Sequence, residues 1–290
     1  MARSMGGGEP VLVTGAAGQL GREFCRQLGA AAIPIDRQIC DLTDRAQVTR
    51  LIRDYQPAAI INSAAYTQVD RAEADRDRCF AVNAVAVEWL AEWAEARRIP
   101  FVQISTDYLF GGSAGVRLPH AEDESVEPRG VYAESKYAGE TAAARCTQHL
   151  IVRTCGLYSR PEGDPVRGRN FVDTMRVLGR ERPVIKVVDD QYCTPTYVPD
   201  LARAILYLLG QRQVGLFHVV NGGAVTWYEF AREIFRLEGR EVELIPITTA
   251  QYGAAAPRPA YSVLSTAKYE SVGGVPLRSW QAALADYFGC

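Results

Sequence analysis

Apolar and polar positions along the first 155 residues alternate in blocks of two kinds. Val11-Leu12-Val13-Thr14 is a short apolar run that reads as a buried strand. Residues 18–28 follow it with Leu20, Phe24 and Leu28 on one helical face. The alternation then repeats, with strands at 33–36, 58–62, 101–105 and 150–154 and helical patterns at 44–55, 83–97 and 131–145. Thr43 or Asp44 is placed to cap the second helix, and Pro100 lies beyond the end of the third. Strands separated by helices of this length need crossover connections, and those make neighbouring strands parallel. The fold class expected is therefore α/β, a Rossmann-type doubly wound parallel sheet with ligands at the carboxyl ends of its strands.

The texture changes after residue 155. Residues 159–169 are rich in Gly, Pro and charge and read as a loop, as do 253–259, while 189–199 has no regular period. Helical patterns cover 171–178, 199–209, 226–237 and 280–288, with one short strand at 217–220. The expected organisation is a flexible N-terminus at 1–9, a dinucleotide-binding domain at 10–155, and a smaller substrate-binding lobe at 156–290 with segments returning to the main sheet. Trp89 and Trp93 read as packing residues, Trp227 and Trp280 as core anchors, and the alternating charges of 71–78 as a solvated helix face.

Composition removes several function classes. The formal net charge over 290 residues is −2 and no basic stripe is present, which argues against nucleic acid. The longest apolar stretches, such as 202–209, fall far short of the roughly 20 residues that span a bilayer, and residues 1–10 do not read as a secretory signal. The seven cysteines show no CxxC spacing, and the three histidines, at 120, 149 and 218, are not at metal-ligand spacing. Reduced thiols in a cytoplasmic protein, and no metal site, are expected.

Two constellations carry candidate chemistry. Gly15, Gly18 and Gly21 follow the first strand and open the first helix, with Gln19 and Leu20 between the second and third glycine. Gly15 would permit the tight turn, Gly18 the approach of a pyrophosphate, and Gly21 the packing of helix on strand. Asp36 ends the second strand about 20 residues on, where a carboxylate meets an adenosine ribose, and Asp41-Leu42 follows near the adenine. Asp36 favours NAD(H), whereas Arg37 beside it would suit the extra phosphate of NADP(H), so the preference stays open. Tyr132 and Lys136 lie four apart on one helix face, and a nearby ammonium would lower the phenol's pKa for general-acid work. Lys136 would also hold the nicotinamide ribose. Ser105-Thr106 closes the strand at 101–105 and offers a hydroxyl to orient a substrate carbonyl. The small residues of Asn62 to Tyr66, Ala64 and Ala65 among them, leave room for a nicotinamide. Asn83 either bridges backbone and water there or caps its helix.

Together the segments 15–21, 62–66, 105–110 and 132–136 resemble the extended short-chain dehydrogenase/reductases. More narrowly, the chain resembles the dTDP-4-dehydrorhamnose reductase family. It does so through Ala-Ala-Tyr-Thr-Gln-Val-Asp-Arg-Ala-Glu at 64–73, Ser-Thr-Asp-Tyr-Leu-Phe at 105–110 and Val-Tyr-Ala-Glu-Ser-Lys-Tyr-Ala-Gly-Glu at 131–140. Arg169-Asn170-Phe171, Asp190-Gln191 with Thr194-Pro195-Thr196, and Arg258-Pro259 with Ser262 extend the match. The resemblance implies that Thr106, Tyr132 and Lys136 are the catalytic set and that Asp107 and Tyr108 face the sugar. It makes Asn170 and Arg258 contacts to the nucleotide diphosphate, though Arg258 is equally a surface arginine between two prolines.

The activity implied is NAD(P)H-dependent reduction of the C4 keto group of a nucleotide-linked deoxysugar, dTDP-4-dehydro-L-rhamnose first. The nucleotide sugar is then the partner expected, with neither nucleic acid nor membrane, and a homodimer is left open. Arg153-Thr154-Cys155-Gly156 stands where the family commonly has Arg-Thr-Ser-Trp, and Cys193 where glycine is usual. Three rivals are weighed. A dehydratase would follow Asp107 with Glu, but Tyr108 is there. A 4-epimerase would retain its cofactor through turnover. A non-catalytic regulatory subunit would resemble the beta subunit of methionine adenosyltransferase.

Overall fold

Fully buried strands set the architecture. In the computed structural model, which describes residues 9–112, 117–161 and 169–290, β1 (Val11–Thr14) runs through the glycine loop into α1 (Gln19–Leu28), and β2 (Ala32–Ile35), α2 (Arg45–Tyr55) and β3 (Ala59–Asn62) follow. The chain then forms α3 (Val69–Ala72), α4 (Arg76–Phe80) and α5 (Ala86–Arg97), then β4 (Phe101–Thr106), α6 (Val131–Ala143) and β5 (His149–Thr154). The expected lead-in at 1–9 falls, but for its last residue, outside the described residues, and so does most of the loop at 159–169.

The remainder comprises β6 (Leu157–Tyr158), α7 (Phe171–Glu181), β7 (Val184–Val188), β8 (Tyr192–Cys193), β9 (Thr196–Tyr197), α8 (Val198–Gly210) and β10 (Gly215–His218). After these come β11 (Val225–Thr226), α9 (Trp227–Glu238), β12 (Glu243–Ile247), α10 (Thr249–Tyr252), α11 (Ala267–Ser271) and α12 (Trp280–Phe288).

The main sheet has six parallel strands in the order β10-β5-β4-β3-β1-β2. The chain leaves β1 toward β2 on one side and returns to β3 on the other, so the order reverses beside β1, where such sheets open a crevice. β1 and β3 are buried at every position, because helices cover both faces. The strand period of two divides the side chains between two cores. Val11, Val13, Ile61 and Val102 pack with Phe24 of α1 and Leu201 and Ile205 of α8. Leu12, Ile60 and Phe101 pack with Ile52 of α2 and Leu90 of α5, with Trp89 and Trp93 at the margin. α8 and β10 thus belong to the main sheet although they follow residue 156. A third core, including Tyr158, Phe230, Ile234, Trp280 and Leu284, holds α7, α9 and α12 with the parallel pair β7–β12.

The helix expected at 83–97 begins earlier. It runs on from α4 through one π-turn, Ala81–Val85, so Asn83 sits inside a helix and is not its cap. The expected choice of Thr43 or Asp44 resolves to Asp44, which accepts from the amides of Ala46 and Gln47. The stretch 189–199 contains β8 and β9, which are too short to show a period of their own. No helix among the described residues is long and apolar enough to cross a membrane.

Candidate active site

The carboxyl ends of β1, β3, β4 and β5 open into one cleft of about 1040 Å³. Along its length it is lined by Gly15, Gly18, Gln19 and Leu20, by Asp36, Arg37, Asp41 and Leu42, by Ala64, Ala65 and Tyr66, and by Thr106, Asp107, Tyr108, Tyr132 and Lys136.

The glycine loop shows why its residues are glycine. Gly15 has φ 68°, and a Cβ there would stand 2.7 Å from the backbone nitrogen of Ala64, so only glycine lets the loop lie against the end of β3. A Cβ on Gly21 would collide with the Gly15 carbonyl. Gly21 therefore lets the first turn of α1 close on the loop itself, rather than on the strand as expected. Gly18 caps α1 with no side chain of its own, and no acidic residue occupies the first turn. The helix N-terminus is thus presented bare to the cleft, which suits a pyrophosphate.

At the far end, Asp36 is held by its own turn, its Oδ1 accepting from the amides of Gln38 and Ile39 at 2.9 and 3.1 Å. The Arg37 guanidinium is 70% exposed and 3.8 Å from Asp41.

The catalytic end is largely buried, with Thr106, Asp107 and Lys136 enclosed and Tyr108 and Tyr132 half-buried on the cleft wall. Glu73 Oε1 accepts from the Val131 amide at 2.9 Å and so anchors the start of α6, which fixes Tyr132 one residue on. Lys136 is 3% exposed, and its Nζ donates to the Ile104 carbonyl on β4 at 2.6 Å. Burial pulls its ammonium down to about 8, against the opposing charge of Glu140. Glu140 is itself paired with Arg153 in a buried, two-pronged ion pair at 2.9 and 2.8 Å.

Tyr132 departs from the expectation. Burial pushes its phenol well above the ordinary range, opposed chiefly by the Thr106 hydroxyl. The lowering expected from Lys136 does not occur, because the lysine is anchored on β4 and desolvation of the phenolate outweighs charge four residues away. Tyr108 meets the Tyr132 ring edge-on at 5.6 Å.

Asn83 does not line the cleft. Its side chain is buried, accepts from the Tyr66 amide at 2.8 Å, and donates to the Tyr66 carbonyl at 3.1 Å and the Ser135 hydroxyl at 2.9 Å. It bridges backbone as expected, and ties it to Ser135 on α6. Asn170 also stands outside the lining. It caps α7 and donates to Gln19 Oε1 at 2.9 Å, joining the second lobe to the glycine loop. Arg258 is 16% exposed and forms a two-pronged pair with Asp70 at 3.0 and 2.7 Å. At Gly156 the indole of Trp227 comes within 3.1 Å of where a Cβ would be, so an aromatic ring from α9 approaches a position that carries none. Glu73, Glu140, Arg153, Trp227 and Ser262, which donates to Asp107 at 2.5 Å, were not singled out as site residues from the sequence. Of these, Glu73, Glu140, Arg153 and Ser262 stand within the quoted motifs, the one signal that pointed to them.

The family model described as the RmlD substrate binding domain matches residues 9–289. The chain belongs to this family. A dTDP-4-dehydrorhamnose reductase of Streptomyces griseus is 38% identical over 96% of this chain and 92% of its own length. The spore coat polysaccharide biosynthesis protein SpsK of Bacillus subtilis is 39% identical over 96% of both chains. Among solved structures, dTDP-4-dehydrorhamnose reductase of Bacillus anthracis in complex with NADP superposes with a TM-score of 0.91 at 36% identity, covering 97% of this chain and 99% of that one. The parallel sheet with its crevice beside β1 is thus the fold of an RmlD-family protein, as the α/β pattern led one to expect.

Proposed function

We propose that this RmlD-family protein is an NAD(P)H-dependent reductase of the C4 keto group of a nucleotide-linked deoxysugar, with dTDP-4-dehydro-L-rhamnose as the first substrate to test. One observation carries the reading: Thr106, Tyr132 and Lys136 converge at the end of the same cleft whose other wall is the glycine loop. The similar proteins from Streptomyces griseus and Bacillus anthracis bear the name of that reductase. The bare N-terminus of α1 and the close approach at Gly15 suit a dinucleotide pyrophosphate, and Asp36 and Arg37, which line the same cleft, would meet its adenosine end. Bound there, a reduced nicotinamide supplies the hydride.

The chain's own residues do the rest. The Thr106 hydroxyl, at the end of β4, orients the keto oxygen. The Tyr132 phenol keeps its proton at neutral pH, because burial disfavours the phenolate, and releases it to the oxygen as negative charge develops there. Lys136 braces α6 against β4 and holds positive charge beneath the site. The seven cysteines are all free thiols, which suits a cytoplasmic, reducing compartment.

The test is loss of reduced-nicotinamide absorbance with dTDP-4-dehydro-L-rhamnose, run with NADH and NADPH in parallel. Tyr132→Phe should cut kcat by about 10²- to 10⁴-fold and leave cofactor binding intact. Undiminished turnover in that variant would remove Tyr132 from the mechanism.

A further inference from the structure

A second cavity, of about 580 Å³, lies between α1, the start of α8 and the segment carrying Arg278 and Asp286. Six of its described lining residues are arginines: Arg22 and Arg26 on α1, Arg160 after β6, Arg169 before α7, Arg203 on α8 and Arg278 before α12. Two carboxylates line it, Glu23 and Asp286, and both are taken. Glu23 pairs with Arg26 at 2.5 and 2.8 Å, and Asp286 with Arg278 at 2.6 Å and Arg160 at 3.2 Å. Asp200, buried on α8, holds Arg278 at 2.8 Å and lies 3.6 Å from Arg203.

Two guanidinium groups are left over. Among the described residues Arg22 makes no ion pair and no side-chain hydrogen bond. The Arg169 Nε is buried without a partner. It stands 4.0 Å from Asp173, whose carboxylate already accepts from Tyr287 at 2.7 Å and Asn170 at 3.0 Å. A concave surface of one sign focuses its field and gathers ions of the other sign. Guanidinium groups present paired donors that match phosphate oxygens. The volume is that of a small-ligand pocket, larger than a lone phosphate fills. Gln19, Arg22 and Arg169 line this cavity and the dinucleotide cleft alike, so they form the wall between the two. Gln19 fastens that wall. Its Nε2 donates to the Arg169 carbonyl at 3.2 Å, and its Oε1 accepts from Ser159 at 3.0 Å and Asn170 at 2.9 Å.

We propose that this cavity is a second anion site, which takes a phosphorylated ligand of pyrophosphate size or larger and loosens the bound dinucleotide across the shared wall. Arg22 and Arg169 attract a dinucleotide pyrophosphate from one side and the second anion from the other. An anion on one side offsets their charge for the other and adds its own repulsion, so each ligand weakens the other by the same factor. Partly screened charges on opposite sides of a side-chain wall couple by about fivefold. The site goes beyond the reductase reading, and its test needs no turnover.

Inorganic pyrophosphate and ATP are titrated calorimetrically into the full chain saturated with NADPH, at constant ionic strength. The saturating cofactor occupies the N-terminus of α1, the other place where a pyrophosphate would bind. The expected result is one anion bound per chain. ATP binding more tightly than pyrophosphate assigns the site to a nucleotide, and equal affinity assigns it to the polyphosphate alone; either supports the site. Release of bound NADPH, followed by its fluorescence during a chase with excess NADP, should quicken as pyrophosphate is added and level off at about fivefold. Competition for one cleft leaves that rate unchanged. Arg26 and Arg203 are mostly exposed and line the second cavity but not the dinucleotide cleft. The double variant Arg26→Gln/Arg203→Gln should therefore weaken anion binding by about tenfold or more and abolish the faster release. Its NADPH affinity and Tm should stay near wild type, since exposed ion pairs contribute little. No heat of binding at millimolar pyrophosphate, displacement of the anion by further NADPH, or full affinity in the double variant would overturn the second site. An unchanged release rate with the anion bound would overturn its coupling to the cofactor. A chain that binds no NADPH would undo the reductase reading instead, and the double variant would then be compared with wild type in cofactor-free protein, where it should still remove one bound anion.

Discussion

The two ends of the cleft are built on opposite electrostatic principles. At the catalytic end Lys136, Thr106 and Asp107 are buried and Tyr132 half-buried on the cleft wall, and burial shifts the titrating groups: the phenol and the carboxyl go up, the ammonium down to about 8. At the adenosine end Arg37 stands in solvent and Asp36 is oriented by backbone amides. Charges that water screens interact by about 1 kcal/mol, whereas a desolvated group cannot change its protonation without a much larger change in free energy. One end is thus suited to timing a proton, the other to choosing between two similar ligands. Substitutions at the first should act on kcat and stability by orders of magnitude, and at the second on affinity by small factors.

The largest effect on folding should come from the ion pair beneath the catalytic end. Glu140 and Arg153 are 7% and 4% exposed, and Arg153→Met would leave a buried carboxylate without its partner. Removing one partner of such a pair costs about 3–5 kcal/mol, which urea denaturation would register directly. Adding Glu140→Gln should restore part of the loss, since the uncompensated charge is then gone. If Arg153→Met unfolds no more readily than wild type, the catalytic end does not depend on buried charge and the contrast between the ends weakens.

Lys136 provides a pH-dependent form of the same test. Its folded-state pKa, about 8, lies below the unfolded value, so between about 8 and 10.5 the unfolded chain binds more protons than the folded one. Stability from this group is therefore present at high pH and is lost as pH falls through 8. Thermal melts of the cofactor-free protein should show Tm rising from pH 7.5 to 10 by more in wild type than in Lys136→Met. A parallel rise in both would place the cause elsewhere.

What the sequence revealed follows the same division. The β1–loop–α1 unit and the spacing of Tyr132 and Lys136 are local, and hydrophobic period and glycine spacing display them. The partners that dehydrate and brace the catalytic end come from far along the chain: Glu73 to Val131 over 58 residues, Ser262 to Asp107 over 155, Arg258 to Asp70 over 188. No periodicity encodes such contacts, so Glu73 and Ser262 were seen only as letters of a motif. The direction of the Tyr132 shift was misjudged for a related reason. A lysine four residues away is visible in sequence, but the desolvation that overrides it is a property of the assembled fold. Asn83 was placed at a helix start because its π-turn looks, by pattern alone, like the break between two helices.

The smallest effect should be at Arg37, and there its size matters more than its sign. If Arg37 meets the phosphate that distinguishes NADP(H) from NAD(H), Arg37→Ala should lower the ratio of kcat/KM for NADPH over NADH, while kcat at saturation stays put. An exposed charge pair of about 1 kcal/mol converts to roughly fivefold. The change should shrink as salt is raised from about 0.01 to 0.15 M, because the screening length falls from about 30 to 8 Å. Asp36→Ala should shift the ratio the other way, by removing a carboxylate that opposes the phosphate. A salt-independent change of a hundredfold or more on Arg37→Ala would mean that the guanidinium becomes buried against the cofactor. The adenosine end would then work by desolvation too, and the distinction between the two ends would belong to the cofactor-free protein alone.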